Sequence, residues 1–180
     1  MTKSMSIILL IVIVFSGCKK DNPSEPPIST IKSGEVTVDT RGISTGFSFS
    51  RGDTISAPNV QNLWPDFEFF FETGPDGPQI IGVSLAGTQP DHSNRPTFHF
   101  KKSLSTLDSA NIYFQNITEV TDSTFDPITF HLTQYQVYTV KTIDGKFAKI
   151  LIRNNNLSPD SSYVTFSFGW VYQSNGTRHF

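Results

Sequence analysis

From about Glu35 onward, apolar and polar residues alternate in short stretches separated by turn residues. Val36 and Val38 alternate with Thr37 and Asp39, and Phe47 and Phe49 with Ser48 and Ser50. Phe67, Phe69 and Phe71 share a side opposite Glu68 and Glu72, with Phe70 out of step. Ile81, Val83 and Leu85 form another such set, and Phe98 and Phe100 stand opposite Thr97, His99 and Lys101. Side chains of a strand point alternately to its two faces, so each stretch predicts a strand with one face in a core. A long polar loop, Gly87 to Pro96, separates two of them. Residues Leu104 to Ala110 predict one or two helical turns, and no long helical period appears.

The C-terminal third is the clearest. Tyr138 and Val140 lead into Asp144-Gly145, and the apolar-rich run Phe147–Ile152 follows. Asp-Gly between two strand-like runs predicts a hairpin with a two-residue type I′ turn. Val164, Phe166, Phe168, Trp170 and Tyr172 then alternate with small or polar residues. Asn175-Gly176 turns the chain once more and leaves Thr177–Phe180 as a short last strand. The expected fold class is all-β: an antiparallel curled sheet or two-layer β domain over residues 35–180, with at most short helical turns. No internal repeat is present.

The first residues follow another pattern. Lys3 supplies a positive charge, Ile7 to Phe15 is an unbroken apolar run, and Ser16 and Gly17 are small. This is the plan of a secretory signal. Nine apolar residues rise only ~14 Å as a helix, too short for a ~30 Å hydrocarbon core. The run Phe15-Ser16-Gly17-Cys18 resembles a bacterial lipobox. That resemblance implies that residues 1–17 are a signal peptide, that Cys18 is lipidated, and that the chain is anchored to a membrane of the cell envelope. Several acyl chains are needed for lasting anchorage, since one alone is marginal. Residues 18–34 contain Pro23, Pro26 and Pro27 among polar residues and read as a lipidated Cys followed by a flexible tether. Their start, Lys19-Lys20-Asp21, resembles the export signals of surface lipoproteins of Bacteroidota.

Composition narrows the chemistry. Cys18 is the only cysteine, so no disulfide can form within the chain and no second thiol serves a metal site. The net charge is −2, with no basic stripe for nucleic acid. No His-Glu-x-x-His spacing and no Gly-x-Ser-x-Gly elbow occurs, which leaves an enzyme without a visible constellation. Glu68 and Glu72 lie ~13 Å apart along a strand, too far to share a site. Phenylalanine is the unusual count, at 16. The candidate chemistry is therefore carried by histidines. His99 and His131 sit on polar strand faces, His92 lies beside Asp91 in the polar loop, and His179 is next to the C-terminus, where chain ends fray. Neutral imidazole is a common iron ligand.

Phe47-Ser-Phe-Ser-Arg-Gly-Asp-Thr-Ile55, the Trp-containing segment Leu63–Phe71, and Val137-Tyr-Thr-Val-Lys-Thr-Ile-Asp-Gly-Lys-Phe-Ala-Lys-Ile150 occur in that order. Val164-Thr-Phe-Ser-Phe168 and Tyr172-Gln-Ser-Asn-Gly176 follow. In these segments the chain resembles the HmuY family of envelope lipoproteins, named for a heme-capturing member. The resemblance runs from about residue 35 to the C-terminus, and the Asp144-Gly-Lys-Phe-Ala-Lys149 hairpin is its most specific part. It implies an all-β fold, capture of heme between two axial side chains on loops, and transfer to an outer-membrane heme transporter. One axial ligand is expected on the loop Thr121–Asp126, which here has neither His nor Met. His131 follows a few residues later, and His92 or His99 stands where the second ligand is expected. Pro65 also separates Trp64 from Asp66, where the family has Trp-Asp directly. Two readings result: a surface protein binding heme or another flat ligand through His99 and His131, or a non-catalytic interaction module with the same fold and no heme site.

Overall fold

A computed structural model describes residues 30–39, 45–56, 65–73, 80–86, 97–126, 128–129, 132–142, 144–160 and 162–180. Its elements run β1 (Lys32–Asp39), β2 (Thr45–Ser48), β3 (Asp53–Ser56), β4 (Phe67–Thr73), β5 (Ile80–Ala86), β6 (Thr97–Ser103), α1 (Leu107–Asn116), β7 (Ile128–Thr129), β8 (Gln136–Lys141), β9 (Phe147–Leu157) and β10 (Tyr163–Gln173). Two five-stranded sheets form. One has the order β1-β10-β9-β8-β6, the other β3-β2-β4-β5-β7. Every strand pairing is antiparallel. The expected all-β class and the two-layer packing are thus present, with one short helix among the described residues.

Alternation decides what each face of the first sheet meets. Val36, Val38, Tyr138, Ile150, Phe166, Phe168 and Trp170 turn toward the second sheet and pack with Phe47, Phe49 and Phe67. Phe47 meets Phe168 edge-on at 5.0 Å and Trp170 at 5.5 Å between ring centroids. Such pairs contribute ~1 kcal/mol each beyond their area burial. The opposite face carries Val137, Leu151 and Val171, covered by Ala110 and Phe114 of α1 and by Phe180. The first half of β9 is therefore buried on both sides. This is why Phe147–Ile152 reads as a nearly continuous apolar run and not as an alternation.

The helix is longer than the one or two turns expected over Leu104–Ala110, and it lies further along. Thr106 caps it: its side chain accepts from the Ser109 backbone N–H at 3.2 Å, and the Ser109 hydroxyl answers the Thr106 N–H. Only Ala110 and Phe114 of the helix are fully buried. That contact is too narrow to register as a helical period.

The hairpin between β8 and β9 also differs in detail. Gly145 has φ +72, whereas Asp144 is not among the residues with positive φ. Thr142 and Lys146 close the loop, with Thr142 N–H donating to the Lys146 carbonyl at 2.9 Å and Gly145 N–H to the Thr142 carbonyl at 3.0 Å. Three positions thus separate Thr142 from Lys146, and of the described ones only Gly145 is in the left-handed region, a common alternative to the two-residue turn.

β1 begins at Lys32, inside the stretch 18–34 expected as tether. Lys32, Ser33 and Gly34 pair with Trp170, Gly169 and Phe168. Gly34 lies on the Phe168 ring, where a Cβ would come within 2.5 Å of Cζ. The C-terminal tail is pinned and not frayed. Val120 N–H donates to the Arg178 carbonyl and Phe180 N–H to the Thr118 carbonyl, each at 2.8 Å, and Phe180 is buried. Among the described residues no helix is long and apolar enough to cross a membrane.

Candidate functional site

His99 sits in the middle of β6, an edge strand, opposite Thr139 of β8. Alternation sends its ring away from the aromatic core, to the face that α1 partly covers. There the loop Thr121–Asp126 folds over it. The loop is fixed at its end by reciprocal backbone hydrogen bonds between Phe98 and Asp126, at 2.7 and 2.8 Å. His99 Nδ1 lies 2.9 Å from the Thr124 carbonyl oxygen, and Nε2 lies 3.3 Å from Oδ1 of Asp122. The Phe125 ring stands nearly edge-on to the imidazole, with centroids 6.0 Å apart.

Asp122 is the hub. Its side chain is only 7% exposed, against 33% for His99. Lys101 Nζ donates to Oδ1 at 2.7 Å and the Thr139 hydroxyl to Oδ2 at 2.6 Å. Burial alone disfavours the carboxylate, but the hydrogen bonds from Lys101 and Thr139 and the neighbouring charges outweigh it. The acid is held below its usual range. Arg178, on the pinned tail, donates to the Asp122 backbone carbonyl at 2.9 Å. Two strands, one loop and the tail thus converge on a single imidazole–carboxylate–ammonium group.

Of the residues singled out in the sequence, His99 is in this group. His131, His92 and Cys18 lie outside the described residues. His179 is exposed and 3.8 Å from Glu119, away from the group. Asp122, Lys101 and Thr139 were not anticipated. The resemblance points to Thr121–Asp126 as a loop lacking a ligand, and in the structure that loop lies against the His99 ring. Only the β6–β8 register brings Thr139 opposite His99. Among the described residues no three side chains of His, Cys, Asp or Glu gather as a metal site.

No protein-family model matches the chain, and no curated protein matches it. A solved structure similar to it is the apo form of an HmuY analog from Tannerella forsythia. The TM-score is 0.41 and the identity 9%, over 82% of this chain and 100% of that one.

Proposed function

We propose that the chain is a non-catalytic, lipid-anchored binding protein of the bacterial outer envelope, of HmuY-like type, that captures heme or another flat ligand for an outer-membrane transporter. Cys18 is the anchor, and His99 and His131 are the iron ligands. The observation that carries the reading is the way His99 is held. Metal-bound histidines characteristically donate the second ring N–H to a carbonyl or carboxylate, which fixes the ring. Here Nδ1 faces the Thr124 carbonyl, which leaves Nε2 as the ligating atom. Asp122 stands in front of Nε2, yet Lys101 and Thr139 hold that carboxylate without help from His99. The ring can therefore leave Asp122 without stranding a buried charge. Phe125 supplies an apolar edge beside it.

A second reading is favoured by the same geometry. Both ring nitrogens already have partners, so the cluster also makes sense as a strut that fixes the loop of a surface interaction module. Absorption spectra separate the two. Heme capture predicts a saturable low-spin Soret spectrum at one heme per chain, lost in the double variant His99→Ala/His131→Ala. A spectrum that survives the double change removes both histidines, and one indistinguishable from free heme favours the interaction module.

A further inference from the structure

On the Trp170 side of the first sheet lies a cleft of about 530 Å³, within the range of small-molecule sites. Phe49, Trp170 and Tyr172 contribute its aromatic wall, and Lys32, Lys146 and Ser174 also line it. Trp170 and Phe49 are buried, Tyr172 is partly exposed, and Phe49 and Tyr172 lie parallel with centroids 5.9 Å apart. Lys32 Nζ sits 4.8 Å over the Trp170 ring. The charge of Lys146 acts on the Tyr172 hydroxyl, as do those of Asp66 and Asp144 nearby. No carboxylate lines the cleft among the described residues. Two ammonium groups and an aromatic wall therefore face one space.

The Trp170 indole N–H adds a second observation. It is buried and meets no acceptor among the described residues, an uncommon state for such a donor. The indole edge next to it, at Cζ2, lies 3.5 Å from where a Cβ of Gly52 would be. It therefore lies under the same Phe49–Gly52 turn that contributes Phe49 and Ser50 to the cleft.

We infer that this cleft binds a small planar aromatic ligand carrying two negative charges, its ring against the partly exposed Tyr172 and its anionic groups on Lys32 and Lys146. Aromatic faces supply the apolar contact, and charge-assisted hydrogen bonds from the two ammonium groups fix orientation. The site is independent of His99, which points to the other face of the sheet with Thr139 and Lys149.

Calorimetric titration of naphthalene-2,6-disulfonate into the full chain, carried in phosphatidylcholine vesicles with empty vesicles as blank, tests the inference. One saturable site is expected. Lys32→Ala and Lys146→Ala should each weaken it about tenfold, as loss of a charge-assisted hydrogen bond does. Lys146→Arg keeps the charge and should retain most of the affinity, and His99→Ala should leave it unchanged. Raising the salt should weaken binding, because partly exposed charges are screened. Absence of saturable heat at millimolar probe overturns the inference. So does a Lys32→Ala/Lys146→Ala variant that binds like the unaltered chain, or a neutral naphthalene diol that binds as tightly.

Discussion

Lys149 offers a test of the packing between α1 and the first sheet. Its side chain is buried, at 4% exposure. The ammonium caps the C-terminal end of α1, donating to the carbonyls of Phe114 and Ile117 at 3.0 and 2.7 Å. It also lies 4.8 Å over the rings of both Phe114 and Phe180. Burial lowers its pKa from 10.5 to about 8. A lowered lysine pKa means that the unfolded chain binds the proton more tightly than the folded one. Between the two values the unfolded state carries the extra proton, so stability rises with pH through that window. Integrated from pH 7 to 9.5, the gain is ~2 kcal/mol, out of ~3 kcal/mol for the whole shift. Urea unfolding of the unaltered protein and of Lys149→Met across that range is the assay. The difference between them should change by ~2 kcal/mol in favour of the unaltered protein as pH rises, while groups common to both cancel. Tyr172, whose hydroxyl burial lifts above its usual range, acts in the opposite direction at higher pH and cancels likewise. A difference constant to within ~0.5 kcal/mol would refute the burial of a charged Lys149 against α1.

Asp66 gives the complementary case. Burial raises its pKa to about 6, only partly offset by hydrogen bonds from the Phe49 N–H and the Ser48 hydroxyl. Its contribution should be full below pH 3.8, fall between there and about 6 and be absent above, and Asp66→Asn should flatten that decline in the same unfolding assay. Gly34→Ala forces a methyl onto the enclosed Phe168 ring and should cost ~1–3 kcal/mol in urea unfolding. Thr106→Ala removes the cap of α1 and should cost ~1 kcal/mol. An unchanged melting curve in either variant would contradict the packing or the cap. Asp122→Ala should free the His99 ring and leave Lys101 without its 2.7 Å partner, and the His99 NMR resonances should broaden or shift. Unmoved resonances would show that Asp122 does not orient the ring.

Strands were readable because one buried face writes a period of 2 into the sequence, as in Val36/Val38 and Phe166/Phe168/Trp170. Where both faces are buried, as along Phe147–Ile152, the period vanishes and only composition signals a strand. The helix was underestimated because a ten-residue element that buries two side chains fully leaves too few apolar positions to show a period. The candidate site was legible only in part. His99 stood out as a residue type, but its partners Asp122 and Thr124 come from a loop 23 and 25 positions along the chain, and Thr139 of β8 lies 40 positions along. Register across strands joins them, and no local pattern encodes register. The cleft at Lys32 and Lys146 was hidden for the same reason. Its aromatic wall reads as ordinary core, and its two lysines are far apart in the chain.

The most direct test of ligand capture is a heme titration of the protein, followed by absorption in the Soret and visible bands under oxidising and reducing conditions. Capture through His99 and His131 predicts a saturable low-spin spectrum at one heme per chain that the His99→Ala/His131→Ala variant loses. A spectrum indistinguishable from that of heme with a non-binding control protein would contradict it, and would leave the His99–Asp122 cluster as a strut in a surface interaction module.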